Sequence, residues 1–230
     1  MCHELDSEPP IAAIAGAAVS HEDLVVDAAD GNRFAAFAAA PEEPSAVGVV
    51  VLPDVRGLCH FYEELALRFA ERGYAAIAID YFGRTAGVGK RGEAFPFMEH
   101  AKQTTPAGVQ ADVAAAAAYL RSAAGGHGLA GAVGFYGMPG ERNGDPGPVA
   151  VTERMDAPIL ALQAGDDANI TAEHNEAFDA ALSAAGVEHD VVTFAGAPHS
   201  FFDRHHADFQ QQSEDAWRRT LAFIDANSAA

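Results

Sequence analysis

The 230-residue sequence is poor in cysteine, and it lacks any long apolar run. Its two cysteines, Cys2 and Cys59, exclude a disulfide framework and favour a reducing, cytoplasmic location. No apolar run reaches the roughly 18 residues that a membrane span needs. The N-terminus is acidic, whereas a signal peptide begins with positive charge. The sequence therefore predicts a cytoplasmic protein without a membrane segment.

Basic side chains are also scarce. Lys and Arg number 14 against 33 Asp and Glu, which gives a formal net charge of -19. The acidic residues are spread along the chain, and such a surface repels phosphate backbones and anionic lipids. We therefore expect a small-molecule ligand, with neither nucleic acid nor membrane as a partner. The oligomeric state is left open, with a monomer as the default expectation.

Apolar residues, at 49% of the chain, suffice for a sizeable core. Asp30-Gly31 between two apolar runs predicts an antiparallel hairpin over residues 24–37. From residue 46 onward apolar strands alternate with helical patterns, which favours an α/β fold with a mostly parallel sheet and helices on both faces. We expect an N-terminal arm over residues 1–22 and a single α/β domain over residues 23–228.

The coarse element pattern follows from hydrophobic periodicity and capping residues. Strands are predicted over residues 46–52, 74–79 and 131–137, and two more begin at residues 158 and 191. Helices are predicted over residues 61–72, 107–123, 171–185 and 213–226, and a long loop over residues 85–106.

Two polar positions stand at the ends of successive predicted strands. Asp166-Asp167 follows the strand that begins at residue 158, and His199 follows the strand that begins at residue 191. Carboxyl ends of parallel strands meet at one edge of a sheet, where α/β enzymes place their chemistry. The pattern alone is equally compatible with a loop histidine that has a structural hydrogen bond.

Five motifs carry a family resemblance: residues 52–57 (LPDVRG), 78–84 (AIDYFGR), 132–137 (AVGFYG), 165–167 (GDD) and 199–202 (HSFF). In this order they resemble the dienelactone hydrolase family of the α/β-hydrolase superfamily, from about residue 47 to residue 224. The resemblance implies an α/β-hydrolase fold. It also implies cleavage of a small ester or lactone through an acyl-enzyme, with a Cys or Ser nucleophile, an Asp and a His.

Position by position, the resemblance makes Asp167 the acid of the catalytic triad, in preference to its neighbour Asp166, and His199 the base. The carboxylate would fix the imidazole tautomer and stabilise the imidazolium that forms when the base takes a proton.

Three further residues match the family's site. Val55 would supply a backbone N–H to an oxyanion hole. Asp54 matches an acidic residue near the nucleophile, and Arg84 matches an arginine that contacts a carboxylate substrate. A surface-loop role for Arg84 stays open. Arg204 lies one residue too far from the base to be matched.

The nucleophile has no counterpart. The resemblance places it in a Gly-x-Cys-x-Gly turn, within a strand–turn–helix unit of roughly 25 residues before the strand at 131–137. In this chain residues 123–130 join the preceding helix directly to that strand. We interpret the gap as an internal deletion of one central strand–helix unit.

Substitutes for the nucleophile are few. Cys59 begins a predicted helix, and Tyr136 could approach the vacated position, although a phenol with a pKa near ~10 is a poor acyl-transfer nucleophile. Cys2 lies in the predicted arm, and Ser200 would point away from the base.

A metal centre was weighed against the triad. His199, His205 and His206 lie close in sequence, with His60 and Asp54 as further candidates, but adjacent histidines diverge on regular structure and no HExxH motif is present. We therefore expect no metal and no cofactor. Two functions remain: a hydrolase with an unidentified nucleophile, or a catalytically inactive family member that at most binds a ligand.

Overall fold

The computed structural model describes residues 7–124, 129–141, 144 and 146–228. The chain divides into two compact units, one up to residue 127 and the other from residue 128, and each is described by itself. None of the described helices is long and apolar enough to cross a membrane. The junction at residues 125–128, where the sequence predicts a deletion, lies outside the described residues.

The first unit contains a four-stranded sheet with the order β1-β2-β4-β3. β2 is antiparallel to both β1 and β4, whereas β3 is parallel to β4. The elements are β1 Val19–Asp27, β2 Arg33–Pro41, β3 Gly48–Val51, α1 His60–Ala70, β4 Ala75–Ile79, α2 Gly83–Ala86, α3 Phe97–Ala101 and α4 Pro106–Ala124.

The predicted N-terminal hairpin is confirmed and is longer than expected. Gly31 has φ 87°, and the Ala28 N–H donates to the Asn32 carbonyl at 2.8 Å, which closes the turn. Pairing continues outward to Val19 and Pro41. The last four residues of the predicted arm therefore belong to β1. Their mostly exposed side chains lack the apolar alternation that would reveal a strand.

The second unit contains three parallel strands in the order β5-β6-β7. Its elements are β5 Ala132–Phe135, a 3₁₀ helix Pro148–Arg154, β6 Ile159–Asp166, α5 Ala172–Ala185, β7 His189–Pro198 and α6 Gln210–Ser228. Thr171 is the N-cap of α5, and Gly186 ends it in the left-handed conformation, both as the sequence predicts. The α/β fold with parallel strand pairs and an N-terminal hairpin is thus confirmed.

Each unit has its own apolar core. In the first, Phe34, Ile77 and Ile79 are fully buried and pack with α4 residues Ala116 and Leu120. In the second, a cluster joins β6 to α5 and to the loop that follows it, through Ala161, Phe178, Leu182 and Val187. Burial of each large apolar side chain contributes about 1.5–3 kcal/mol.

Two strands end their sheets. β3 is the last strand of the four-stranded sheet, and β5 is the first strand of the three-stranded sheet. The sequence predicts that β3 is a central strand, yet within its unit it pairs on one side only.

The loop after β3 contacts a buried ion pair, because the Leu58 N–H donates to Asp80 Oδ1 at 3.4 Å. The Asp80 side chain is fully buried, and its Oδ2 accepts from Arg91 Nη2 at 2.6 Å. Burial raises the pKa of Asp80, although the Arg91 guanidinium opposes this effect. Gly57 has φ 75°, and a Cβ there would lie 2.5 Å from Asp80 Oδ1. A glycine is therefore required where this loop crosses the end of β4.

We predict that Gly57→Ala lowers the free energy of unfolding by about 2–4 kcal/mol, because it adds a clash to left-handed strain. Gly31→Ala is the matched control. Its φ is also left-handed, but nothing lies within 4 Å of a Cβ there, so we expect a loss of about 1 kcal/mol. Urea unfolding followed by far-UV circular dichroism measures both. Equal losses would contradict the proposed clash.

Candidate active site

Adjacent parallel strands bring the predicted acid and base together. Asp167 is the first residue after β6, and His199 is the first residue after β7. The register between these strands shifts near Asp166, which pairs with Pro198. A Cβ on Gly165 would lie 2.7 Å from the Phe194 carbonyl oxygen, so the strands approach closely at this irregularity.

The two side chains form a short hydrogen bond. His199 Nδ1 lies 2.6 Å from Asp167 Oδ2. The Asp167 side chain is fully buried, whereas that of His199 is 43% exposed. Asp167 Oδ1 accepts the backbone N–H groups of Asn169 at 2.8 Å and Ile170 at 3.2 Å. The buried carboxylate therefore accepts three hydrogen bonds, two at Oδ1 and one at Oδ2.

The carboxylate is held in its charged form. Burial raises the pKa of Asp167, but the Asn169 N–H, the His199 side chain and the Ile170 N–H together outweigh it, and the net pKa is lowered. An ionised Asp167 accepts the proton of His199 Nδ1, so the lone pair of the neutral imidazole is on Nε2. Within the described part of the second unit, Nε2 makes no hydrogen bond.

The turn after His199 is tightly built. Ser200 has φ 67° and is buried, and its carbonyl accepts the backbone N–H groups of Asp203 and His205. Phe201 is fully buried, and its carbonyl accepts from Ser213 Oγ at 2.9 Å. These contacts fix the backbone that carries the histidine.

We predict that Asp167→Asn lowers the free energy of unfolding at pH 7 by about 1.5–3 kcal/mol, because it removes a charge-assisted hydrogen bond. A lowered folded-state pKa contributes stability above the unfolded value near 3.8, and that stability is lost as the pH falls through the folded value. The difference between wild type and variant should therefore shrink below about pH 4.

Denaturant unfolding between pH 2.5 and 7 measures this dependence, with Trp217 in α6 as the fluorescent probe of the second unit. Asp166→Asn, at the neighbouring exposed carboxylate, controls for the loss of one charge in the same turn. A wild-type advantage that stays constant down to pH 2.5 would contradict the assignment of a lowered pKa to Asp167.

In the first unit, Asp54 and Val55 lie in the loop after β3. Asp54 Oδ2 accepts from Arg56 Nη2 at 2.7 Å, and the Asp54 backbone carbonyl accepts from the Tyr81 hydroxyl at 2.6 Å. The Asp54 N–H donates to the Tyr62 hydroxyl at 2.8 Å. The Val55 N–H has no hydrogen bond in the described part of this unit. Hydrogen bonds of Asp54 therefore hold the loop, and the described part of this unit leaves the Val55 N–H as a backbone donor.

Arg84 lies in α2 and binds carboxylates of its own unit. Its Nη1 donates to Asp30 Oδ2 at 2.5 Å, and its Nη2 donates to the buried Asp112 at 2.7 Å and to the Gly108 carbonyl at 3.1 Å. These bonds connect the hairpin turn to α4. A role toward substrate stays a prediction, and such a role would compete with these contacts.

Cys59 is the N-cap residue of α1, and it is only 5% exposed. Burial raises the pKa of the Cys59 thiol to about 11, although the nearby Arg56 guanidinium acts in the opposite direction. Since the thiolate is the nucleophilic form, a raised pKa is the reverse of what an acyl-transfer cysteine needs. Both cysteines of the sequence, Cys2 and Cys59, precede residue 128, so the second unit contains none.

We predict slow alkylation of Cys59. In a Cys2→Ala background, its rate with iodoacetamide at pH 8 should be on the order of 100-fold below that of a free thiol, because the thiolate fraction is small. The rate should rise steadily with pH toward about 11. Intact-mass spectrometry measures it, with glutathione as the reference thiol. A rate that levels off below pH 9 would contradict this account and restore Cys59 as a nucleophile.

The structure adds a contact that the sequence did not indicate. Tyr136, weighed above as a substitute nucleophile, donates its hydroxyl to Asp203 Oδ2 at 2.7 Å. A metal site of His199, His205 and His206 is the alternative that was weighed above and not predicted. Among the described residues, no three His, Cys, Asp or Glu side chains converge as metal ligands.

Solved structures identify the class of fold. A chain from Klebsiella pneumoniae described as "Putative Dienelactone Hydrolase" superposes with a TM-score of 0.78 at 24% identity, over 90% of this chain and 99% of that chain. A dienelactone hydrolase-like promiscuous phosphotriesterase from metagenomic libraries gives 0.73 at 20% identity, over 92% and 99%. At these identities the likeness shows the fold alone, which is that of the α/β-hydrolases.

The family follows from the sequence comparison. The model of the dienelactone hydrolase family matches residues 34–128 and 116–228, which together make up most of the chain. The chain belongs to the dienelactone hydrolase family, as the five motifs predict. The match falls into two segments that overlap just before and within the junction where the sequence predicts a deletion.

Curated relatives are similar over different lengths, and all three cited here bear the name "Putative carboxymethylenebutenolidase". The match to the Yersinia pestis protein is 35% identical over 75 residues, 32% of this chain and 28% of the relative. The match to the Escherichia coli protein is 32% identical over 100 residues, 42% and 37%. The chain thus spans about a third of these two relatives.

A third relative, from Saccharolobus solfataricus, matches over most of both chains at 25% identity, 85% of this chain and 95% of the relative. Its alignment has 251 positions, whereas 85% of 230 residues is about 196. About 55 positions of the relative therefore have no counterpart in this chain. This surplus exceeds the size of one strand–turn–helix unit.

Proposed function

We propose that the protein hydrolyses a small ester or lactone, with Asp167 and His199 as the acid and base of the reaction. The observation that carries the proposal is the 2.6 Å bond between a fully buried carboxylate and a histidine that is 43% exposed. Family membership supports a hydrolase, and the substrate class is that of the family's name.

The proposed chemistry is a proton transfer at Nε2. As a nucleophile attacks the substrate carbonyl, its proton moves to His199 Nε2, and the ionised Asp167 stabilises the imidazolium. When the tetrahedral intermediate collapses, the same proton passes to the leaving alkoxide. A Cys or Ser nucleophile gives an acyl-enzyme that water then hydrolyses; with water itself as nucleophile, the acid and alcohol form in one cycle.

The first unit supplies candidates for substrate contact. The unused Val55 N–H supports a role in an oxyanion hole, since a fixed backbone donor can stabilise the developing negative charge. Asp54 and Arg84 keep their proposed roles in substrate binding, although both already bind partners within the unit. We also propose, from composition, a monomeric cytoplasmic protein that binds neither nucleic acid nor membranes and needs no cofactor.

A second candidate function is ligand binding without turnover. It is favoured by the absent segment, because the family's nucleophile turn has no counterpart in the sequence and about 55 positions of one relative are unmatched. It is also favoured by the raised pKa of the Cys59 thiol. Loss of a nucleophile typically costs several orders of magnitude in kcat.

The two candidates are separated by turnover of 4-nitrophenyl acetate. If the protein is a hydrolase, His199→Ala should lower kcat/KM on the order of 100-fold or more, because general-base assistance is lost. Asp167→Asn should lower it in the same direction. Stopped-flow release of 4-nitrophenolate measures both the burst and the steady state.

His21→Ala is the control for non-specific catalysis by an imidazole. His21 is an exposed histidine of the first unit, and its ring stacks on Phe37. Wild-type turnover no faster than that of His199→Ala would reject the hydrolase and leave the binding function. A burst that depends on His199 would reject the binding function, and the mass of the trapped acyl-enzyme would locate the nucleophile.

A further inference from the structure

Tyr136 occupies an unusual backbone position beside the base. It follows β5 directly and has φ 35°, a region that non-glycine residues seldom adopt. Its backbone N–H donates to the Leu162 carbonyl of β6 at 2.8 Å, which extends the ladder by one bond. Strained residues of this kind persist only where surrounding contacts hold them.

The hydroxyl end of Tyr136 is anchored in the loop that carries the base. It donates to Asp203 Oδ2 at 2.7 Å, and Asp203 is 6% exposed. The other carboxylate oxygen, Oδ1, accepts the backbone N–H of Arg204. Since the Asp203 N–H donates to the Ser200 carbonyl, the anchor belongs to the turn that begins one residue after His199.

The ring of Tyr136 lies against the imidazole. The centroids of Tyr136 and His199 are 4.9 Å apart at an interplanar angle of 56°, and Phe201 packs edge-on against the same phenol at 5.6 Å. The hydrogen bond to Asp167 holds His199 at one atom, and a single bond leaves the ring free to tilt about it. A ring contact supplies the second constraint that fixes the imidazole plane.

We propose that Tyr136, anchored by Asp203, is a positioning residue for His199. It keeps Nδ1 directed at Asp167 and Nε2 directed at the reacting atoms. A catalytic role for this positioning rests on the proposed function. The orientation of the His199 imidazole can be measured without turnover.

The same geometry argues against Tyr136 as the nucleophile. Its hydroxyl proton is donated to Asp203, so the bond that a nucleophile should make to the base is used elsewhere. The anchored phenol therefore acts through His199 and not on the substrate.

The test uses the imidazole of His199 in ¹⁵N-histidine-labelled protein, assigned with His199→Gln. In wild type we expect one tautomer, with the proton on Nδ1 and slow exchange of that proton with water. Tyr136→Leu removes the ring and should speed this exchange about 10-fold or more, with a mixed tautomer signal. Tyr136→Phe keeps the ring but loses the anchor, and should speed the exchange about 3-fold.

Tyr119→Leu is the matched control, because its hydroxyl also donates to a carboxylate, Glu22 Oε1 at 2.9 Å, in the first unit. It should leave the His199 signals unchanged. A folded Tyr136→Leu protein with wild-type His199 signals would overturn the proposal. If that variant does not fold, Tyr136→Phe provides the test. Unchanged exchange of the His199 Nδ1 proton in Tyr136→Phe would also overturn the proposal.

Turnover then separates this proposal from the proposed function. If wild type hydrolyses the ester, Tyr136→Leu should lower kcat about 10-fold with a smaller effect on KM, because a misplaced base costs rate more than binding. Unchanged kcat would overturn the positioning role. Absence of turnover in wild type rejects the hydrolase only, and the exchange of the Nδ1 proton still decides the role of Tyr136.

Discussion

The hydrogen bond from His199 Nδ1 to Asp167 Oδ2 joins the ends of β6 and β7, and the site of the second unit depends on it. A buried carboxylate is costly unless it is fully paired, and here one histidine and two backbone N–H groups pair it. The close approach at Gly165 and the left-handed Ser200 place the two side chains at one sheet edge.

We propose that Asp167 and His199 are an acid and a base of the second unit, and that the family's nucleophile turn is absent from the chain. Two observations support this proposal: the family model matches in two segments, and about 55 positions of the Saccharolobus solfataricus relative have no counterpart in this chain. β3 and β5 each end the sheet of their own unit. Each unit has its own buried core.

Local patterns predicted the main strands and helices, but not α2, α3 or the 3₁₀ helix Pro148–Arg154, which lie in segments where the sequence predicts no strand or helix. Strand order together with the family resemblance predicted the Asp167–His199 pair, since strand order brings those two residues to one edge. The local patterns underestimated β1, whose first residues are mostly exposed and show no alternation. The Tyr136–Asp203 bond could not be predicted, since it joins residues 67 positions apart through a strained backbone. The ion pair of Arg84 with Asp112 could not be predicted either, since Asp112 lies in a separate helix. The family resemblance implied a substrate contact for Arg84.

We expect Asp167 and His199 to support acyl transfer once a nucleophile unit is supplied. The most direct test inserts a strand–turn–helix segment with a Gly-x-Cys-x-Gly turn between residues 124 and 129. The measurement is the pre-steady-state burst of 4-nitrophenolate from 4-nitrophenyl acetate. The account predicts a burst of about one equivalent that His199→Ala abolishes. A folded chimera whose burst is absent, or is unchanged by His199→Ala, would contradict it.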